Sequence, residues 1–226
     1  MKNVIIGLVM LFAFNANAQY KLDFKVDGLK DTTVYLLKYL GDKLYYADTT
    51  ESTGGKASFS NDYYEGGVYA FYTGAGYFEF IMADKEVSIH TSNDNFIKDM
   101  KVIKSDENKA FYEYIHFINS KRPLSAAIVE ERDELEPKKD SVKIKSLNNK
   151  LSALDKDVKQ FQKDIVKSTE GKLVSKMLKM SIDIVPPEGL NDTLRGAYLR
   201  DHYWDNTDLT DKRLARSQVF NNKVDV

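Results

Sequence analysis

Apolar and polar residues alternate with a period of two from Tyr20 onward. Leu22, Phe24 and Val26 interleave with Lys21, Asp23 and Lys25, the pattern of a strand with one face buried and the other in water. A turn at Asp27-Gly28 leads into residues 32–39 and 43–48, both rich in β-branched and aromatic side chains. Gly54-Gly55 reads as a hairpin turn before Ala57-Ser58-Phe59. Gly66-Gly67 and Gly74-Ala75-Gly76 bracket a strand over residues 68–73, and further strands are predicted over residues 77–82 and 87–91. Short strands at this spacing predict an antiparallel β-sandwich or barrel-like domain over residues 19–103.

After Lys104 the period changes to that of a helix. Ser105 is the expected N-cap, with Asp106 and Glu107 complementing the dipole of the first turn. Phe111, Tyr114, Ile115 and Ile118 then share one helical face. Pro123 is expected to interrupt, with a second helix from Leu124 to Leu135 before Pro137. The clearest helix follows: Ile144, Leu147, Leu151, Leu154, Val158, Phe161 and Ile165 form a heptad seam. That seam could dimerise the chain or close an antiparallel helical hairpin, and its short length favours the hairpin. Gly171 is an expected stop or hinge, and residues 172–184 form another amphipathic stretch ended by Pro186-Pro187. Asp192 is the expected cap of a last helix through Leu194, Ala197 and Tyr198, reaching as far as Tyr203. The fold class is therefore α+β: a β domain over residues 19–103 followed by an all-helical domain over residues 104–226.

The N-terminus changes the picture of where the chain acts. Lys2, an almost unbroken apolar run from Val4 to Phe14, and Ala16-Asn17-Ala18 before Gln19 form a signal peptide over residues 1–18, cleaved after Ala18. The run is shorter than the roughly 20 residues needed to span a bilayer. A periplasmic or otherwise exported protein is expected, with no membrane span. The chain has no cysteine, so thiol chemistry within it is excluded. A net charge of −1 provides no field to draw in nucleic acid. Hydrophobic content of 42% and charged content of 30% belong to a globular chain able to bury a core without disulfides.

Candidate chemistry is sparse. Eight aromatics crowd residues 63–80: Tyr63, Tyr64, Tyr69, Phe71, Tyr72, Tyr77, Phe78 and Phe80. They could form a stacking platform for a sugar or peptide, but alternate rings in strands more often fill a core. Asp201-His202-Tyr203-Trp204-Asp205 holds the single tryptophan and the densest mix of titratable groups. A metal needs three or four convergent ligands, and His90 and His116 lie in other elements, so a packed helix end is the favoured reading. Glu130-Glu131-Arg132-Asp133-Glu134, with Glu136 and Lys138-Lys139-Asp140, reads as a solvated helix face. Gly74-Ala75-Gly76 is too short to be a phosphate-binding fingerprint, and neither a glycine-flanked nucleophilic serine nor His-Glu-x-x-His occurs. No catalytic, cofactor-binding or metal residue is assigned.

Three stretches carry a family resemblance. The first is Gly28-Leu29-Lys30-Asp31-Thr32-Thr33-Val34-Tyr35-Leu36 with Tyr45-Tyr46-Ala47-Asp48-Thr49 and Gly76-Tyr77-Phe78-Glu79-Phe80. The second runs from Lys101-Val102-Ile103-Lys104-Ser105-Asp106-Glu107-Asn108 into Phe111 and Tyr114. The third is Arg200-Asp201-His202-Tyr203-Trp204-Asp205-Asn206 with Arg213-Leu214 and Phe220-Asn221-Asn222-Lys223. Together they resemble the N-terminal region of exported thioredoxin-like thiol–disulfide oxidoreductases of the Bacteroidota type. In that family a small β domain and a helical domain, both of unknown function, precede a thioredoxin fold with a Cys-x-x-Cys pair. The catalytic cysteines have no counterpart here, so no catalytic residue carries over.

The resemblance implies a non-catalytic accessory region whose partner is a thioredoxin-like domain in cis, with envelope proteins as further partners. A chain truncated before that domain is favoured over one that has lost it, and residues 219–226 are then expected to be poorly ordered. The rival expectation is a stand-alone envelope binding module using the aromatic sheet.

Overall fold

A computed structural model describes residues 19–135 and 140–225. The expected signal peptide and cleavage after Ala18 lie outside the described residues, as do Glu136, Pro137, Lys138 and Lys139.

Eight strands come first: β1 (Tyr20–Asp27), β2 (Thr32–Leu40), β3 (Lys43–Ser52), β4 (Lys56–Asn61), β5 (Gly67–Tyr72), β6 (Tyr77–Met82), β7 (Glu86–Ser92) and β8 (Lys101–Lys104). They form two four-stranded sheets, ordered β4-β1-β7-β8 and β3-β2-β5-β6. All pairings are antiparallel except β1 with β7, which run parallel from Lys21↔Glu86 to Asp27↔Ser92. The α+β class holds, with a sandwich as the β part. The parallel pair and the short β8 were not legible in the strand pattern.

Period-two alternation builds the first core. Leu22, Phe24 and Val26 of β1, with Phe59 of β4 and Val87 and Ile89 of β7, face Val34, Leu36, Tyr69, Phe71, Phe78, Phe80 and Met82 of the other sheet. Phe24 sits at its centre, 4.6 Å from the Phe71 ring and 5.2 Å from Phe80. Gly55 is required at its hairpin: φ is +73°, and a Cβ there would lie 2.4 Å from the Val26 carbonyl oxygen.

Five α-helices follow: α1 (Asp106–Leu135), α2 (Ser141–Ser168), α3 (Leu173–Met180), α4 (Asp192–Asp201) and α5 (Gln218–Val224), with a 3-10 turn at Leu214–Arg216 before α5. Ser105 caps α1 as expected, its Oγ accepting from the Asn108 N–H at 3.1 Å. Pro123 does not interrupt: α1 is one helix with Pro123 inside it. Proline removes one backbone donor, and continuous packing against α2 on both sides outweighs that local loss. The helices α1 and α2 form an antiparallel hairpin, with Phe117 stacked on Phe161 at 3.9 Å and Lys121 paired to Asp157 at 3.3 Å. The seam is thus used within the chain. Its Leu147 and Ile165 are buried, while Leu151, Leu154 and Val158 are half-buried.

Two helix ends differ from expectation. The residue 172–184 stretch is helical only to Met180. The cap of α4 is Asn191, whose side chain accepts from the Leu194 N–H at 2.9 Å, and Asp192 is the first helical residue. The expectation of a poorly ordered tail is also corrected. Residues 218–224 form α5, capped by the Ser217 hydroxyl, and Asn221 is buried with its amide donating to the Gly41 carbonyl. Val219 and Phe220 are half-buried against a surface within this chain.

That surface is a second core. Tyr39, Val68 and Ile81 on the outer face of sheet β3-β2-β5-β6 pack with Ala110, Ile165, Leu173, Val174, Met177, Leu178, Met180 and Leu214. The outer face of the sheet is therefore covered over this half, and β5, which reads Gly-Val-Tyr-Ala-Phe before Tyr72, is buried along all but its last residue. The 3-10 turn lies close over Gly66 and Gly67. A Cβ on Gly67 would come 2.6 Å from the Arg216 Cβ, and Arg216 Nε donates to the Gly66 carbonyl at 2.7 Å. Among the described residues no helix is long and apolar enough to cross a membrane.

Candidate functional site

Directly paired residues in a sheet share a face. Tyr35 of β2 pairs with Tyr72 of β5, and Tyr72 pairs with Tyr77 of β6. Because Val34 and Leu36 point into the first core, Tyr35 points outward, and the register carries Tyr72 and Tyr77 with it. Tyr46 of β3 joins them, its ring 5.1 Å from that of Tyr35 in an edge contact, while Tyr35 and Tyr72 lie 6.2 Å apart. Four tyrosines from four adjacent strands therefore line one end of the outer face. The helices roof the other end, over Tyr39, Val68 and Ile81. Tyr46 is 69% exposed and Tyr77 50%.

The boundary between roofed and bare halves is polar. Tyr39 donates its hydroxyl to Glu79, and the Tyr112 hydroxyl of α1 donates to the Glu79 carbonyl at 2.5 Å. Burial, then the hydrogen bond to Glu79, pushes the Tyr39 phenol well above its ordinary range. It stays a neutral donor at any physiological pH. The exposed rings beyond it offer flat apolar faces with hydroxyls at their rims, which suits a sugar ring, an extended peptide or another protein surface.

The eight aromatics singled out in the sequence divide between two roles. Tyr64, Tyr69, Phe71, Phe78 and Phe80 are core. Tyr72, half-buried, and Tyr77, exposed, belong to the outer patch, and Tyr63 is exposed elsewhere on the loop before β5. Tyr35 and Tyr46, half of the patch, were missed. The signal for Tyr35 was the alternation of β2, which sends it outward between two buried residues.

The Asp201–Asp205 segment packs as a helix end. Tyr203 donates to the Lys223 carbonyl at 2.6 Å, Trp204 lies 6.2 Å from Phe220, and His202 Nδ1 pairs with Asp205 at 2.6 Å. His90 sits on β7 against Asp27 at 2.7 Å, and His116 lies on α1 near Tyr112. The three histidines are thus in separate places. Among the described residues no group of three His, Cys, Asp or Glu could hold a metal ion. The described part of the Glu130–Glu134 run lies on the surface of α1, with Arg132 bonded to Asp133. Gly74-Ala75-Gly76 turns β5 into β6, where the Thr73 N–H donates to the Gly76 carbonyl at 2.9 Å.

A denser charged cluster ties the C-terminal loop to α3. Lys176 pairs with Asp208 and Asp211, both at 2.8 Å, and Arg213 pairs with Asp211 at 2.6 Å. Arg213 above all holds the Asp211 carboxyl well below the usual carboxylate range, and Lys176 with Thr210 holds Asp208 at about 2. Every charge in it has a partner within the cluster, which marks it as a structural clasp.

Comparison with known proteins finds one family. Residues 20–111 match the family model described as a domain of unknown function (DUF4369), a stretch that spans all eight strands and the first turns of α1. Neither the curated proteins nor the solved structures provide a match to this chain.

Proposed function

We propose that this chain is the non-catalytic accessory region of an exported thioredoxin-like thiol–disulfide oxidoreductase, positioning or docking its redox domain. The observation that carries the reading is the outer face of sheet β3-β2-β5-β6, half roofed by the chain's own helices and half bare tyrosine. Such a face, apolar in its rings and polar at its rim, suits a docked domain. Support comes also from the match of the strand region to a domain of unknown function, from the sequence resemblance over the helical region, and from the absence of cysteine.

The test begins with the reading frame past Val226, expected to continue into a Cys-x-x-Cys thioredoxin-like domain. In that longer protein, Tyr35→Ala with Tyr72→Ala should raise hydrogen exchange in the redox domain and change its reduction rate with insulin. A stop codon after Val226, or a longer protein indifferent to both substitutions, would overturn the docking role. The same exposed tyrosines favour one rival, a stand-alone envelope binding module. Saturable binding of a glycan or peptide, abolished by Tyr35→Ala, would put that rival in front.

A further inference from the structure

A second opening lies away from the tyrosine face, between the end of α3, α4 and α5. It is a cavity of about 640 Å³ whose walls include Met180, Ile182, Ile184, Leu199 and Val219, a size within the roughly 300–1,000 Å³ range of small-molecule sites. Into this apolar wall α5 brings one ammonium group, that of Lys223. Its Nζ donates to the Met180 carbonyl at 3.4 Å, and lies 4.4 Å over the Tyr203 ring and 5.8 Å from that of Trp204.

Lysine carries three donors. One reaches a carbonyl at long range, and the rings supply attraction without accepting a conventional hydrogen bond. Among the described residues no carboxylate lies within 4.0 Å of Lys223. Asp183, at the cavity rim, is instead within 4.0 Å of Lys159. Partial burial holds the Lys223 amine below its ordinary range, and the charge of Asp183, beyond direct pairing distance, offsets only part of that. In the charged clasp around Lys176, by contrast, each cation has its carboxylate.

From this geometry we infer that the cavity is a binding site for an aliphatic monocarboxylate, its carboxylate on Lys223 and its chain along Leu199, Ile184 and Val219. A single negative charge fits better than a dianion, because Asp183 at the rim opposes further negative charge. An uncharged chain would leave the ammonium without its partner, and a short anion would leave the walls wet. The site is independent of the tyrosine face, so its fate does not decide the docking reading.

The ligand can be probed with octanoate, read by calorimetry and by the fluorescence of Trp204, the only tryptophan. The expected result is saturable one-site binding that perturbs Trp204. Octan-1-ol and acetate should each bind about tenfold more weakly or worse, the worth of one charge-assisted hydrogen bond or of the lost apolar contact. Lys223→Met should bring octanoate down to the affinity of octan-1-ol. Leu199→Asp, at a position already 38% exposed, should abolish binding while circular dichroism stays native. Equal affinity for octanoate and octan-1-ol, octanoate binding unchanged in Lys223→Met, or no saturation where a millimolar site would fill would each overturn the site. Should Lys223→Met fail to fold, the comparison of the ligands on the wild-type chain still decides.

Discussion

Asn108 and Glu107 show what single residues do at the junction of strands and helices. β6 is an edge strand, and edge backbone groups need a partner. The Asn108 side chain supplies it, accepting from the Ile81 N–H at 2.7 Å and donating to the Ile81 carbonyl at 2.8 Å. It is fully buried, so Asn108→Ala strands a donor and an acceptor. A loss of about 2–4 kcal/mol is expected in urea unfolding, from two buried unsatisfied groups. Glu107 was readable in the sequence as an acid in the first turn of α1, but its partner was not. Its carboxylate accepts the Leu173 and Val174 N–H groups, both at 2.8 Å, and so caps α3 from 66 residues away. Sequence spacing reveals local caps and is silent about remote ones. The clasp gives a pH signature at the same scale. Asp211, with a side chain only 8% exposed, and Asp208 titrate lower in the folded chain than the unfolded. The folded state then binds fewer protons, so this stability is complete above about pH 4 and drains as pH falls towards 2. Asp211→Asn should flatten the acid limb of a stability–pH curve.

At the scale of elements, the heptad seam was legible in period and in its use within the chain, because a 3-4 spacing of apolar residues dictates which face of α2 is buried. How deeply each position sinks was not legible, since that depends on where α1 ends its cover. Leu147 is buried and Leu151 half-buried. Leu147→Asp should therefore cost on the order of 3–5 kcal/mol, as an unpaired charge in a core. Leu151→Asp should cost roughly 1–2 kcal/mol, because water can reach the new carboxylate. Paired chemical denaturation curves would rank them, and equal costs would contradict the half-open seam. Pro123 misled for a related reason. The sequence signals its local penalty, whereas the two helical turns on each side are held by packing that no local pattern reports.

For the whole molecule, alternation told which side of each strand is buried but not which strands are neighbours, so the parallel β1–β7 pair and the two sheet orders came only from the structure. The same limit hid the second core. Outward residues such as Val68 and Ile81 gain their cover from α1, from α2 and α3 much further along, and from α5 at the very end of the described chain. A seven-residue helix has no stability of its own, so α5 exists because Ser217 caps it, Asn221 bonds Gly41, and Phe220 packs against the second core. Its unfolding should then coincide with that of the sheet beneath it. Removing residues 217–226 should lower the urea midpoint by the equivalent of about 2–4 kcal/mol, from lost apolar cover and one buried hydrogen bond. In the intact chain the Phe220 and Asn221 amides should exchange on the timescale of the β5 amides. Fast exchange at Phe220 beside slow exchange in β5 would mean that the tail frays freely, and that the second core is closed without α5 by α1, α2, α3 and the 3-10 turn.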